Sequence, residues 1–356
     1  MTKSNIHIEI VRSSTRGLSS MSKVSCESIF AVLNQHYTDV GITVINNISD
    51  LEELITCRPD LVFLGMEFIP TNPTLGINDP NKIWLTDYLD DHEIAYTGSS
   101  KTAHALGRNK HLAKQRVLDA NLMTSAFCVI VQNQILSRNY ISLAFPLFIK
   151  PTNRGGGLGV DSDSVVHNFD QLRSKVYSMT TKLQSDALIE EYLPGREFSI
   201  AILKDVYSPR YSVMPIELVA PVDKNGARLL GRQIKSSNTE QVLEVIDEDI
   251  KSKIMSLALA VFYVLGGRDY GRIDIRLDAS GTPHFLEANL IPSLISGYGS
   301  FPKACVLNMG LEYEPMVLRI AQLGLAHNMH SAEDVLELLG VSASVLSTTE
   351  FAFEQI

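Results

Sequence analysis

Strict alternation of polar and apolar residues over 272–278, RIDIRLD, is the sharpest pattern in the chain. A period of two puts Arg272, Asp274, Arg276 and Asp278 on one face of a strand, with Ile273, Ile275 and Leu277 on the other. Ala279-Ser280-Gly281 reads as a turn, and a second strand over 284–290 brings Glu287 and Asn289 to a single face. Pairing the strands as a hairpin gathers Asp274, Glu287 and Asn289. These are hard oxygen ligands of the kind that hold Mg²⁺. Arg272 stands beside them, placed to meet a developing negative charge. The same pattern also suits an amphipathic hairpin with a solvated charged face, and the other segments decide between the two.

Apolar spacing elsewhere predicts alternating strands and helices. Residues 6–11, 42–45 and 61–64 read as strands. Helices follow the Ser-rich loop 13–22, through about Gln35, and occupy 51–57. This β-α-β order predicts a small parallel sheet with crossover helices. Residues 81–92 read as a helix and 94–98 as a short strand and turn. A continuous helix is predicted over 102–120, with Arg108, Lys110, Lys114 and Arg116 on its polar face. A second unit begins near Thr124, with strands at 127–131, 147–150 and 187–191 and a helix at 169–183. Strands at 198–203 and 211–218 precede a segment of loop composition, 223–238. A helix at 249–265 leads into the hairpin, and helices at 314–323 and, capped, at 331–339 follow it.

With 356 residues and 45% hydrophobic content, the chain is long enough to split into about two or three domains. A net charge of −9 argues against general nucleic-acid binding but leaves room for a local basic pocket. No apolar run reaches the ~20 residues of a membrane span. The N-terminus begins directly with a strand pattern in place of a signal peptide's apolar core. Cys26, Cys57, Cys128 and Cys305 are scattered, as expected of buried free thiols in a reducing cytoplasm. The expectation is a cytoplasmic protein with neither nucleic-acid nor membrane partners.

Two further segments carry candidate chemistry. In PLFIKPTNRGGGLGV a strand ends in Lys150, and Gly155, Gly156, Gly157 and Gly159 follow. Such a backbone can approach a polyphosphate and aim N–H groups at it, with Lys150 adding a point charge. The loop fits neither the P-loop nor the dinucleotide pattern. In LIEEYLPGRE, main-chain groups and Glu190 suit the edge of an adenine, and Glu197 suits ribose hydroxyls.

In this order, YTGSSKTAHALGRNKHLAK, PLFIKPTNRGGGLGV, LIEEYLPGREFSIAIL and GRIDIRLDASGTPHFLEANLIPS resemble the ATP-grasp superfamily, and within it the D-alanine–D-alanine ligases, over about 96–311. The resemblance implies an α/β (α+β) chain of three domains: a Rossmann-like unit (1–100), a central unit (101–185) and a C-terminal catalytic unit (186–330), with a helical tail (331–356). It implies ATP between the second and third units, Mg²⁺ (or Mn²⁺) as metal, and a homodimer. Carried over, Lys110 and Lys150 bind phosphates, Gly156 and Gly157 belong to the phosphate loop, Glu190, Tyr192 and Leu193 line the adenine, and Glu197 holds the ribose. Asp274, Glu287 and Asn289 hold the metal; Arg272 and a main-chain N–H near Ser293 face the oxyanion; Lys235 or Arg232 reaches the γ-phosphate.

The departures fall on the substrate side. Met21 stands where the family's ammonium-binding acid belongs, and Lys23 replaces the second acid. The phosphate loop's serine pair has become Gly156-Gly157, and the segment around Tyr298 is rewritten. The reading is an ATP-dependent carboxylate–amine ligase that works through an acylphosphate on small-molecule substrates, the carboxylate being something other than free D-alanine. The alternatives are a divergent D-alanine–D-alanine ligase and an inactive nucleotide-binding relative.

Overall fold

The computed structural model describes residues 3–15, 17–134 and 136–328; the helix predicted at 331–339 and the tail 331–356 lie outside them. The chain opens with β1 (Ser4–Arg12), α1 (Lys23–His36), β2 (Tyr37–Val44), α2 (Ile48–Thr56) and β3 (Leu61–Leu64). The strands form the expected parallel sheet, in the order β2-β1-β3. Both crossover helices are capped: the Ser22 hydroxyl accepts from the Ser25 N–H, and Asn47 with Asp50 forms a capping box.

A small antiparallel pair, β4 (Phe68–Pro70) and β5 (Lys82–Trp84), precedes α3 (Leu85–Asp91). The helix predicted from residue 81 thus starts at Leu85, because 82–84 pair with β4. The continuous helix predicted over 102–120 is instead two, α4 (Lys101–Arg108) and α5 (Lys110–Asp119), broken at Asn109 with φ −100° and ψ 95°. The break is fastened by the Lys110 N–H, which donates to the Thr152 carbonyl at 2.9 Å. It turns inward two lysines of the expected polar face: Lys110 is 7% exposed and Lys114 0%.

The second sheet comprises β6 (Phe127–Ile130), β7 (Leu147–Pro151), β8 (Val165–Val166) and β9 (Ala187–Glu191), with α6 (Phe169–Lys182) between the last two. It is antiparallel, in the order β6-β9-β7-β8, and buries Ile149 and Ile189 against Leu172, Val176 and Met179 of α6.

The third sheet is built from β10 (Glu197–Lys204), β11 (Tyr211–Val219), β12 (Gln241–Glu244), β13 (Tyr270–Leu277) and β14 (Pro283–Asn289). Its order is β12-β11-β10-β13-β14, antiparallel throughout. The segment expected to be loop contains a short helix, α7 (Arg232–Ser237). The long α8 (Glu248–Val264) covers one face, where Phe198, Ile200, Ile202, Ile273 and Ile275 meet Ile254, Val261 and Phe262. The other face, with Ala201, Leu203, Met214 and Ile216, joins the core of the first sheet. Helices α9 (Ser300–Met309) and α10 (Tyr313–Leu325) complete that core with Phe301, Met316 and Ile320. Interior formed by the first hundred residues is therefore continuous with interior formed near residue 320.

All four cysteines are free; Cys26 and Cys305 are buried, but Cys57 is exposed, contrary to expectation, because it caps the outer end of α2. Among the described residues no helix is long and apolar enough to cross a membrane.

Phe262 lies fully buried beneath β13, so close that a Cβ at Gly271 would stand 2.8 Å from its ring. Phe262→Ala should destabilise the protein by about 3–5 kcal/mol, read from the urea midpoint at constant slope.

Candidate active site

The hairpin predicted from alternation forms, with Arg272 opposite Asn289 and Asp274 opposite Glu287. A bulge follows Asp274, so that Ile275 pairs with Phe285 and Leu286 is the extra residue. Leu286 and Glu287 both line the cleft, while Phe285 is buried in the core under α8. The Arg272 guanidinium grips Asp274 with two donors, Nε to Oδ1 at 2.9 Å and Nη2 to Oδ2 at 2.8 Å. Ser199 donates to Asp274 Oδ1 at 2.8 Å, and Asn289 Nδ2 lies 3.4 Å from Oδ2. Burial opposes the charge on Arg272, but Asp274 outweighs it and holds the guanidinium above its usual range.

Below the hairpin, three buried lysines share two carboxylates. Lys110 Nζ is 3.3 Å from Glu287 and donates to the Arg154 carbonyl at 2.6 Å. Glu190 is clamped by Lys114 at 2.7 Å and Lys150 at 2.8 Å. Lys114 also donates to Thr124 Oγ1, Ser125 Oγ and the Phe285 carbonyl, at 2.6, 3.0 and 3.1 Å. Burial pulls Lys110 down and Lys114 to about 8, with Glu287 and Glu190 resisting respectively. Lys150 moves the other way: burial lowers it, but Glu190 and Glu287 together hold it up. Both carboxylates stay ionised well below their usual range, the lysines overcoming the cost of burial. The group carries an excess of positive charge, which suits a polyanion.

Next to the lysines, a cavity of about 90 Å³ is lined by Phe148, Tyr192, Leu193, Glu197 and Leu286. Arg276 Nη1 binds Glu197 at 2.8 Å, and its guanidinium stands 5.7 Å from the centre of the Tyr192 ring. Burial still pushes Glu197 above the usual carboxylate range, with Arg276 and Lys235 opposing. A larger cavity, about 490 Å³, adjoins it and is bordered by Arg272, Asn289, Ser293, Tyr298 and Gly156. Lys110, Lys235, Asp274 and Glu287 border both.

The glycine loop curls with φ +61° at Gly156 and +71° at Gly157. A Cβ on Gly157 would stand 2.7 Å from the Arg232 nitrogen, so only glycine lets the loop touch the start of α7. The Tyr298 hydroxyl donates to the Lys235 carbonyl, holding α7 from the other side.

The structure thus brings to one cleft Lys110, Lys150, Gly156, Gly157, Glu190, Tyr192, Leu193, Glu197, Lys235, Arg272, Asp274, Glu287, Asn289, Ser293 and Tyr298. It does not bring Met21 or Lys23 there. Met21 is 2% exposed in the core of the first sheet, and Lys23 is solvated and paired with Glu27 at 3.6 Å. A proline-free run of helix formers concealed the break at Asn109, so Lys114 had no site role in the sequence; its spacing of four from Lys110 was the available signal. Arg276 shares the face of Asp274 in the alternation, which did not reveal its partner Glu197, 79 residues away. Glu67, His104 and Arg108 at the larger cavity had no sequence signal as a group. Among the described residues no three His, Cys, Asp or Glu converge as a metal cluster, so the predicted metal set is two acids and an amide.

Residues 117–322 match the family described as D-ala D-ala ligase C-terminus. An uncharacterized protein of Sinorhizobium fredii, y4sG, is 30% identical over 68% of this chain and 69% of its own length. The D-alanine–D-alanine ligase of Hydrogenovibrio crunogenus is 29% identical over 67% of this chain and 72% of its own. A crystal structure of D-alanine–D-alanine ligase from Bacillus anthracis superposes with a TM-score of 0.72 at 18% identity, covering 91% of this chain and 98% of that one. The same enzyme complexed with ATP gives 0.70 at 18%, covering 92% and 99%. The shared fold is that of the ATP-grasp ligases.

Because Lys114 gives up its proton near pH 8 when folded and near 10.5 when unfolded, the unfolded chain binds more protons between those values. Over that window wild type should gain stability with rising pH relative to Lys114→Met; paired urea titrations that diverged in the opposite sense would contradict the burial argument.

Proposed function

The chain belongs to the D-ala D-ala ligase C-terminus family and is an ATP-dependent ligase forming C–N bonds; from that premise we propose that it joins a carboxylate other than free D-alanine to an amine through an acylphosphate. The observation that carries this reading is the positive excess of Lys110, Lys114 and Lys150 over Glu190 and Glu287 at the floor of the cleft. A triphosphate supplies the missing negative charge. The apolar cavity beside Tyr192 and Leu193 fits a nucleobase, and Glu197 is positioned for ribose hydroxyls.

Asp274, Glu287 and Asn289 fit Mg²⁺ (or Mn²⁺) by donor type and by their facing register. In this arrangement the two acids also hold Arg272 and Lys110, and together with Asn289 they would hold the metal. The ion would neutralise charge between phosphates. The protein's own groups do the rest. Lys110 and Lys150 bind phosphate oxygens, and Lys235, which borders both cavities, is better placed than Arg232 to reach the terminal one. Attack by a substrate carboxylate on the γ-phosphorus releases ADP and leaves an acylphosphate. The amine then attacks the carbonyl carbon, phosphate departs, and the amide nitrogen loses its proton to solvent. Arg272 and a main-chain N–H near Ser293 face the oxyanion of that second step.

The non-D-alanine part rests on the segment where the family's ammonium-binding acid belongs: it borders the larger cavity with Gly17, Ser19 and Ser20, and Met21 and Lys23 bring no carboxylate there for a free ammonium. Purified protein given ATP and panels of carboxylates and amines should release ADP and phosphate in an amine-dependent manner, and D-alanine alone should yield no dipeptide. Arg272→Met should lower kcat by about 10²–10³, and Glu287→Gln should abolish turnover while the fold persists. Near wild-type rates in Glu287→Gln would remove it from the metal set, and efficient D-alanyl-D-alanine formation would overturn the substrate reading.

A further inference from the structure

The larger cavity has a wall that the nucleotide and metal assignments leave unused. Glu67, just beyond β3, and His104 and Arg108, one turn apart on α4, all border it alongside Arg272, Asn289 and Ser293. Helix α4 sits tightly on β14 here: a Cβ on Gly107 would lie 3.6 Å from the Leu290 side chain and 3.8 Å from the Ala288 carbonyl. Arg108 Nη1 donates to Glu67 Oε2 at 3.0 Å, and the guanidinium lies 4.6 Å from the centre of the Phe68 ring. Carboxylate and ring together fix its plane, while Nε and Nη2 donate to nothing among the described residues. His104 is 1% exposed, yet neither ring nitrogen has a hydrogen-bond partner; Nδ1 stands 3.7 Å from Glu67. A buried imidazole whose nitrogens make no hydrogen bond, beside a guanidinium with spare donors, is an incomplete hydrogen-bond set. Lys82 and Arg154 nearby are pulled below their usual ranges by burial first and by the charge of Arg108 next, with Asp79 opposing at Lys82.

We propose that Arg108 and His104 receive a second anionic group, carboxylate or phosphate, borne by the carboxylate substrate whose reacting end meets Arg272. Glu67 is a positioning residue that holds Nη1 and leaves the other guanidinium edge toward the cavity. An ammonium is disfavoured at the same place, because the Glu67 carboxylate there already serves Arg108. This inference rests on the ligase reading.

Malonate, succinate and glutarate, each against the monocarboxylate of equal chain length, and 3-phosphonopropionate against succinate, separate the two anions. Binding is measured by calorimetry on the whole protein, and turnover with ATP by trapping the acylphosphate with hydroxylamine as a hydroxamate, which needs no knowledge of the natural amine. One diacid should bind at least about tenfold more tightly than its monoacid partner, or the phosphonate at least about tenfold more tightly than propionate. Arg108→Met should bring that ratio to about one, and Arg108→Lys should retain part of it, which a merely structural role would not produce. A wild-type ratio near one for every pair overturns the proposal whether or not the variants fold, as does an equal loss for both members in Arg108→Met. A preserved preference with no hydroxamate from any acid would support the anion site and overturn the ligase reading instead.

Discussion

Three lysine ammoniums are held out of water by two carboxylates at the floor of the cleft, and the surrounding architecture serves that arrangement. Removing an ion from water costs several kcal/mol even after relaxation, so each buried donor requires a matched acceptor. For Lys114 the acceptors come from the segment before β6, from β9 and from the backbone of β14. A single side chain on α5 thereby fastens the second sheet to the third. The unmatched positive charge remains where the two cavities meet, facing space that an anionic ligand can fill.

Two local irregularities make this geometry possible. The break at Asn109 redirects α5 so that Lys110 lines the cleft and Lys114 is buried beneath it, and the Lys110 N–H to Thr152 fastens the break just beyond the end of β7. The bulge after Asp274 lets Glu287 face the cleft while Phe285 stays in the core beneath α8. Regular structure at either place would trade a functional side chain for a buried apolar one. Around these points the scaffold is packed on both sides, because β10 is apolar on both faces and α8 and the α9–α10 pair cover opposite sides of its sheet.

Much of the fold was legible along the chain because period-two alternation and helical spacing are local signals. The hairpin of β13 and β14, the parallel first sheet, α6 and α8 all lie close to where their patterns predict. The failures share a cause. Residues 82–84 look helical until β4 is present to pair with them. Residues 232–237 look like loop until the glycine loop and Tyr298 support α7. Met21 carried the register of a substrate residue, but its apolar side chain lies in the core, where burial favours it.

Residue type and spacing alone determined which groups this protein has for chemistry: a lysine ending a strand before a glycine loop, an acidic linker, and an alternating hairpin with two acids, an amide and an arginine. Those are statements about neighbours within a few residues, where backbone geometry dictates which side chains share a face. Only the tertiary structure decided the partners. Glu190 with Lys114, Glu197 with Arg276, and Arg108 with Glu67 bring together residues 76, 79 and 41 positions apart. Charge energies depend on distance and burial in space, and neither quantity is written in the order of the residues.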